Sequence, residues 1–174
     1  MGHFNSSRKL TMQLTMQLTR ANTFLLLVTL CMSGGKAMAA DKTEENLQLL
    51  GKFAEQVFIK KNLSDLDHFM HPDYIQHNPF VEQGITGFSE FFSQWFTAIP
   101  DFSYKLKNII ANDEYVWVYG TYSGTHSHSW LGIDATHQSY AFDAVDIFRV
   151  ENGKLAEHWD VLDLHTLFKQ LQSE

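Results

Sequence analysis

Three stretches of the sequence repeat apolar residues at the spacing of an amphipathic helix. The first runs from Leu47 to Phe58 and the last from Leu164 to Leu171. The middle stretch ends at Pro100, which cannot continue a helix. Its apolar positions are Phe88, Phe91, Phe92, Trp95, Phe96 and Ile99. The pattern predicts three helices, with a further short helical turn between residues 64 and 70.

The second half of the chain is dominated by residues that favour β-strands. The segment Glu151-Asn152-Gly153-Lys154 is a strong signal for a hairpin turn. We predict strands at Tyr74–His77, Phe102–Ala111, Tyr115–His126, Ser139–Val150 and Leu155–Leu162. Helices on one face of a long, curved, antiparallel or mixed sheet give an α+β fold that encloses a pocket. Residues 41–174 contain no repeat and no linker, so we expect a single domain there.

Residues 1–40 have the features of an export signal. Arg8, Lys9 and Arg20 precede an apolar stretch from Ala21 to Ser33, and Ala37-Met38-Ala39 resembles a cleavage site. The stretch is shorter than the roughly 20 residues that a membrane-spanning helix needs. We therefore expect cleavage near Ala39 and a periplasmic or secreted protein. The alternative is an N-terminal membrane anchor that is never cut.

The remaining chain is acidic and contains no thiol. Residues 41–174 carry nine basic and twenty acidic residues, which gives a formal charge of −11. That charge argues against nucleic acid and against an anionic membrane surface as partners. The single cysteine, Cys31, lies within the predicted export signal, so cleavage would leave no disulfide and no cysteine-based zinc site or nucleophile.

Two motifs and their separation resemble one family of proteins. Tyr74-Ile75-Gln76-His77-Asn78-Pro79 and Gly84 precede the aromatic helix, and Glu157-His158-Trp159-Asp160-Val161 lies on the last strand. Between them stand Val145–Val150 and Asn152-Gly153-Lys154. Over residues 44–172 the sequence is similar to the SnoaL-like polyketide cyclases of the nuclear transport factor 2-like superfamily.

This resemblance implies a cone-shaped α+β fold around a deep apolar pocket, and commonly a homodimer. It also implies an intramolecular aldol condensation that uses no cofactor and no metal. The family's acid/base aspartate on the final strand corresponds to Asp160. The cyclases carry a histidine on the preceding strand, where this chain has Asp146.

Alternation along the last strand places His158 and Asp160 on the same face. Whether Asp146 joins them depends on the hairpin. A two-residue Asn-Gly turn pairs Val150 with Leu155 and sends Asp146 to the other face. A three-residue loop pairs Val150 with Lys154 and sets Asp146 opposite His158. We favour the three-residue loop because the other register buries Arg149.

Carboxylates in an aromatic pocket acquire raised pKa values and can take a proton from the carbon next to a carbonyl. We expect Asp160, His158, Asp146 and His77 to be catalytic. Further candidates for substrate contact are Tyr74, Gln76, Asn78, Phe92, Trp95 and Trp117. Trp117 lines the cavity on one sheet face or forms a dimer interface on the other. The pairs His126/His128 and His68/His71 lack a third ligand fixed by spacing, so we expect no metal site.

Three functions remain open at this point. The first is an exported enzyme that transfers protons next to the carbonyl of a small apolar compound, by an aldol, retro-aldol, isomerase or dehydratase reaction. The second is a periplasmic binder of a hydrophobic small molecule. The third is an interaction domain with a filled pocket. It also remains open whether Asp160 has a chemical role or only a structural one, as a member of a hydrogen-bond network.

Overall fold

The computed structural model describes residues 42–172. The predicted export signal lies outside these residues. Among the described residues, none of the helices is both long and apolar enough to span a membrane.

Within residues 42–172, three α-helices and five strands form the fold. The helices are α1 (Lys42–Ala54), α2 (Gly84–Ala98) and α3 (Leu164–Leu171). A π-helical turn, Glu55–Ile59, extends α1, and a short 3-10 turn, Leu66–His68, precedes the first strand. The strands are β1 (Met70–Gln76), β2 (Ser103–Ala111), β3 (Tyr115–Thr125), β4 (Ser139–Glu151) and β5 (Lys154–Leu162). The predicted elements are therefore confirmed, with boundaries shifted by a few residues.

The strands form one open sheet in the order β1-β5-β4-β3-β2. β1 runs parallel to β5, and the other neighbours are antiparallel. The sheet is mixed and is combined with three helices, so the predicted α+β class is confirmed.

One face of the sheet is covered by all three helices. Phe53 of α1, Phe92 of α2 and Leu167 of α3 are buried in the same core as Val116 and Phe148 of the sheet. The other face exposes large apolar side chains. They are Ile75, Ile110, Trp117, Tyr119 and Val161. Since buried and more exposed residues alternate on β3 and β4, the strands have an inner face toward the helices and an outer face away from them.

The β4–β5 hairpin differs from the favoured prediction. Its turn has two residues, Asn152 and Gly153, both with positive φ (51° and 72°), and Glu151 pairs with Lys154. The three-residue loop was therefore wrong. The register then shifts by one residue, because Val150 faces Leu155 while Arg149 faces Glu157.

The shift makes Ala156 an extra residue on β5, a β-bulge. Leu155 and Ala156 are consequently both buried although they are neighbours in sequence. Beyond the bulge, Asp146 lies directly opposite Asp160, and His158 lies opposite Phe148. The expected pairing of Asp146 with His158 was therefore wrong, but Asp146 is on the inner face as predicted.

Candidate active site

A cavity of about 50 Å³ lies between the inner face of the sheet and the helices. Its walls are mostly aromatic and include Phe88, Phe92 and Trp95 from α2. Five polar side chains from β1, β4, β5 and the loop after β1 also line it: Gln76, Asn78, Asp146, His158 and Asp160. A small group of polar side chains in an apolar cavity is the usual form of a binding or catalytic site.

His158 has its ring fixed by Gln76. The Gln76 Oε1 atom accepts the backbone N–H of Asn78 at 3.0 Å and lies 2.9 Å from Nδ1 of His158. Because the atom facing Nδ1 is a carbonyl oxygen, Nδ1 must carry a hydrogen. His158 Nε2 is then the ring atom left for chemistry.

The Gln76 backbone is itself held in place. Its N–H donates to Oε1 of Gln83 at 3.1 Å, and Nε2 of Gln83 donates to its carbonyl at 2.6 Å. Gln83 is the residue before α2. The start of the aromatic helix therefore positions the strand end that orients the histidine.

Asp146 accepts hydrogen bonds from two sides. Its Oδ1 lies 3.3 Å from Nε2 of His158, and its Oδ2 accepts the Tyr122 hydroxyl at 2.9 Å. With Nδ1 carrying its hydrogen, a hydrogen bond between Nε2 and Oδ1 requires one further proton on one of these two atoms. Burial, followed by the charge of Asp146, raises the pKa of Tyr122, which therefore remains a hydrogen donor.

Asp160 is held by the loop that follows β1. Its Oδ2 accepts Nδ2 of Asn78 at 2.5 Å, while Oδ1 of Asn78 accepts the backbone N–H of Phe80 at 2.8 Å. Burial is the main cause that raises the pKa of Asp160, and the Asp146 carboxylate adds to it. The bond from Asn78 and the charge of His158 act in the opposite direction.

The same atoms could contact a cation. Ligand atoms of Asp146, His158 and Asp160 lie within 4.8 Å of one another. A second group of possible ligands, Asp65, Asp67 and His68, is exposed. That no metal takes part stays a prediction.

Several predicted site residues are brought together, and others are not. Phe92 and Trp95 line the cavity with the five polar residues named above. Tyr74 is buried behind the wall, and its hydroxyl has no hydrogen-bond partner within residues 42–172. Burial and then the charges of Asp146 and Asp160 raise its pKa, which places it close to both carboxylates.

The expected cavity positions of His77 and Trp117 were wrong. The ring of His77 stacks on Trp159 at 4.6 Å, and its Nε2 lies 2.7 Å from Oε1 of Glu157. Trp117 is 45% exposed on the outer face. Both follow from strand alternation, since His77 faces opposite to Gln76 and Asn78, and Trp117 opposite to Val116 and Val118.

Two functional candidates were missed in the sequence. Tyr122 shares the inner face of β3 with Val118 and Gly120, and its alternation with these residues was the available signal. Trp130 lies in the polar loop 126–138, where nothing in the pattern indicated that it would reach the cavity.

Comparison with known proteins identifies the family and confirms the predicted nuclear transport factor 2-like cone fold. The sequence model of the SnoaL-like polyketide cyclases matches residues 48–171. The nogalonic acid methyl ester cyclase of Streptomyces nogalater is 28% identical over 113 residues, which cover 62% of this chain and 83% of that protein.

Solved structures give the same result. TsrD from Streptomyces laurentii is 31% identical with a TM-score of 0.68, covering 75% of this chain and 97% of that one. A SnoaL-like polyketide cyclase from Agrobacterium tumefaciens strain C58 is 18% identical with a TM-score of 0.58, covering 76% and 99%. At 18% identity, the likeness to the Agrobacterium protein shows a shared fold and nothing more.

Proposed function

Because this chain belongs to the SnoaL-like polyketide cyclase family, we propose that it is a cofactor-free enzyme that moves protons next to the carbonyl of a small apolar compound. The observation that carries the proposal is the position of Asp160. This carboxylate lines an apolar cavity, has a raised pKa, and lies opposite a second group able to hold a proton.

Asp160 acts as the base. Its carboxylate takes a hydrogen from the carbon beside the substrate carbonyl, and the electrons of that C–H bond form an enolate. A raised pKa makes the carboxylate a stronger base, so the transfer needs less driving force from elsewhere. Asn78 keeps Oδ2 of Asp160 in place during the transfer.

The His158–Asp146 pair acts as the acid. The proton between Nε2 and Oδ1 goes to the enolate oxygen, because Nδ1 is already committed to Gln76. The resulting enol can add to a second carbonyl in an aldol condensation, or it can be reprotonated at another carbon in an isomerisation. Retro-aldol and dehydration reactions use the same two proton positions.

The alternative function is that of a periplasmic carrier for a hydrophobic small molecule. The apolar walls favour it. A carrier, however, has no need for a carboxylate that faces the cavity at the cost of desolvation. We therefore place the enzyme first.

The test is deuterium exchange by NMR. The full chain is incubated in heavy water with a chelator and a panel of apolar ketones and β-hydroxy ketones, beside Asp160→Asn. We expect exchange of α-hydrogens that the variant slows by about 100-fold or more, the usual contribution of a general base.

Asp143→Asn is the matched control, because Asp143 is a carboxylate on β4 that binds Lys107 and Tyr119 outside the cavity. Exchange that Asp160→Asn leaves unchanged would exclude Asp160 as the base. Ligand binding without exchange would favour the carrier.

We also propose that the protein is exported and cut near Ala39. The basis is the sequence of residues 1–40 alone. Mass spectrometry of the protein recovered from a bacterial host gives the new N-terminus, and an uncut chain in the membrane fraction would support the anchor instead.

A further inference from the structure

The indole of Trp130 belongs to the walls of two spaces, the cavity and an open depression on the surface. Trp130 and Leu131 line both spaces, the cavity of about 50 Å³ and a depression of about 420 Å³. The depression has mixed walls, and its polar side chains include Ser93, Thr97 and His128. Because the indole lies in the walls of both spaces, its removal is the change expected to join them.

The indole is fixed by the ring beneath it. It stacks on Trp95 with ring centres 5.0 Å apart and planes at 14°, and only 8% of Trp130 is exposed. Trp95 is held in turn, since its Nε1 donates to the Tyr140 hydroxyl at 3.0 Å. Trp130 therefore belongs to the wall of the site.

The backbone around Trp130 is built to hold this position. Trp130 and Ile133 exchange two hydrogen bonds of 3.0 and 2.9 Å across a two-residue turn. Leu131 and Gly132 in that turn have positive φ values of 51° and 76°. The backbone N–H groups of Ser127 and His128 donate to the carbonyl of Ala98, which ties the loop to the end of α2.

The cavity is small for a ligand site. Pockets for drug-sized ligands usually measure about 300–1,000 Å³, far above the volume of about 50 Å³ found here. A compound of several fused rings is larger than this space, whose wall includes Trp130.

We propose that Trp130 sets the upper size limit of the substrate, and that the enzyme acts on short-chain or single-ring carbonyl compounds rather than on fused polycycles. This inference rests on the proposed function. Truncation of the indole would let a longer ligand keep its carbonyl near Asp160 while its far end enters the polar depression.

The experiment uses methyl ketones in which the reacting group is constant and the remainder grows: butanone, acetophenone, acetylnaphthalene and acetylanthracene. Binding is measured by saturation-transfer NMR, and methyl deuteration is followed in heavy water with a chelator. The variants are Trp130→Ala and Trp130→Leu, of which the second keeps more of the core volume should the first not fold. Trp117→Ala is the matched control, a tryptophan on the outer face.

We expect the unaltered protein and Trp117→Ala to bind butanone and to reject both fused-ring ketones. The Trp130 variants should bind acetylnaphthalene at least about tenfold more tightly than the unaltered protein, the scale on which apolar pockets discriminate by size. An unchanged size limit in the Trp130 variants, binding of acetylanthracene by the unaltered protein, or no binding by any variant would overturn the proposal.

The two proposals can fail separately. A size limit in binding that moves with Trp130, without deuteration of any ketone, supports the role of Trp130 and rejects the proton-transfer reaction. Deuteration with a size limit that does not move retains the reaction and rejects the role of Trp130.

Discussion

Asp160 ionises in surroundings that disfavour its charge. Its pKa is raised in the folded protein, mainly by burial, so the folded state binds its proton more tightly than the unfolded chain does. The stability that this proton provides is complete below the unfolded pKa and is lost as pH rises through the folded pKa. At neutral pH the carboxylate therefore destabilises the fold that it serves.

We predict that Asp160→Asn raises the melting temperature at pH 7 while it abolishes exchange. Asparagine is neutral and retains an oxygen that can accept from Asn78. Calorimetry from pH 7 downward should show the advantage shrinking as Asp160 of the unaltered protein becomes protonated. A variant less stable than the parent at every pH would mean that the charge is not the cause.

The pKa of Asp143 is shifted in the opposite direction, downward. Hydrogen bonds from Lys107, Tyr119 and Thr121 lower its pKa to about 2. Its contribution to stability is thus present above the unfolded pKa of about 4 and is lost as pH falls toward 2.

We predict that Asp143→Asn lowers stability at pH 7 and that the difference narrows as pH falls from about 4. Urea unfolding at several pH values measures it. Asp73→Asn is the control, since Asp73 is an exposed carboxylate on the edge strand β1. Equal effects of the two substitutions at each pH would contradict a specific role of Asp143.

At the scale of elements, the periodicity of apolar residues predicted most of the helices and strands. The aromatic stripe from Phe88 predicted α2, and Asn152-Gly153 predicted the hairpin. The register was not predictable, because Leu155 and Ala156 are both apolar and either could face inward. A bulge depends on how both strands meet their other neighbours, here β1 and β3, and local sequence does not contain that information.

The candidate site, like the fold, was predictable only in part. Motif and alternation located Asp160, His158 and Asn78, but not the hydrogen bond that His158 donates to Gln76 and that fixes its ring. Alternation alone could have excluded His77. Trp130 required knowledge of how the loop 126–138 folds back over α2.

Close packing between strands gives an element-scale prediction. A Cβ on Gly120 of β3 would overlap the phenol of Tyr104 on β2, whereas a Cβ on Gly51 of α1 has no neighbour within 4 Å. We predict that Gly120→Ala lowers the free energy of unfolding by about 1–3 kcal/mol through overpacking. Gly51→Ala should raise it by up to about 1 kcal/mol through helix propensity. Denaturant unfolding compares the two, and equal effects would contradict the packing argument.

At the scale of the whole molecule, the outer sheet face exposes a group of large apolar side chains. We propose that it is the interface of the homodimer that the family resemblance led us to expect. Val161 and Ile110 are 67% and 63% exposed, on either side of Trp117 and Tyr119. Apolar surface of this kind marks interaction sites.

We predict that Trp117→Asp or Val161→Asp converts the dimer into a monomer in sedimentation velocity experiments, because a charge in the centre of an apolar interface lacks a partner. Ile59→Asp is the control, at an exposed position on the turn after α1. A parent protein that sediments as a monomer at micromolar concentration would contradict the interface.

The extra residue at Ala156 also limits how this chain can exchange segments with its relatives. Substitutions in the hairpin do not change which residues of β5 face inward. The loss of one residue, however, would turn His158 and Asp160 away from Asp146. Consider a chimera of two relatives whose crossover falls between residues 150 and 160. Its β4 and β5 would bring the site residues to the same face only if both parents carry the bulge. We therefore expect functional chimeras to take residues 150–160 from one parent.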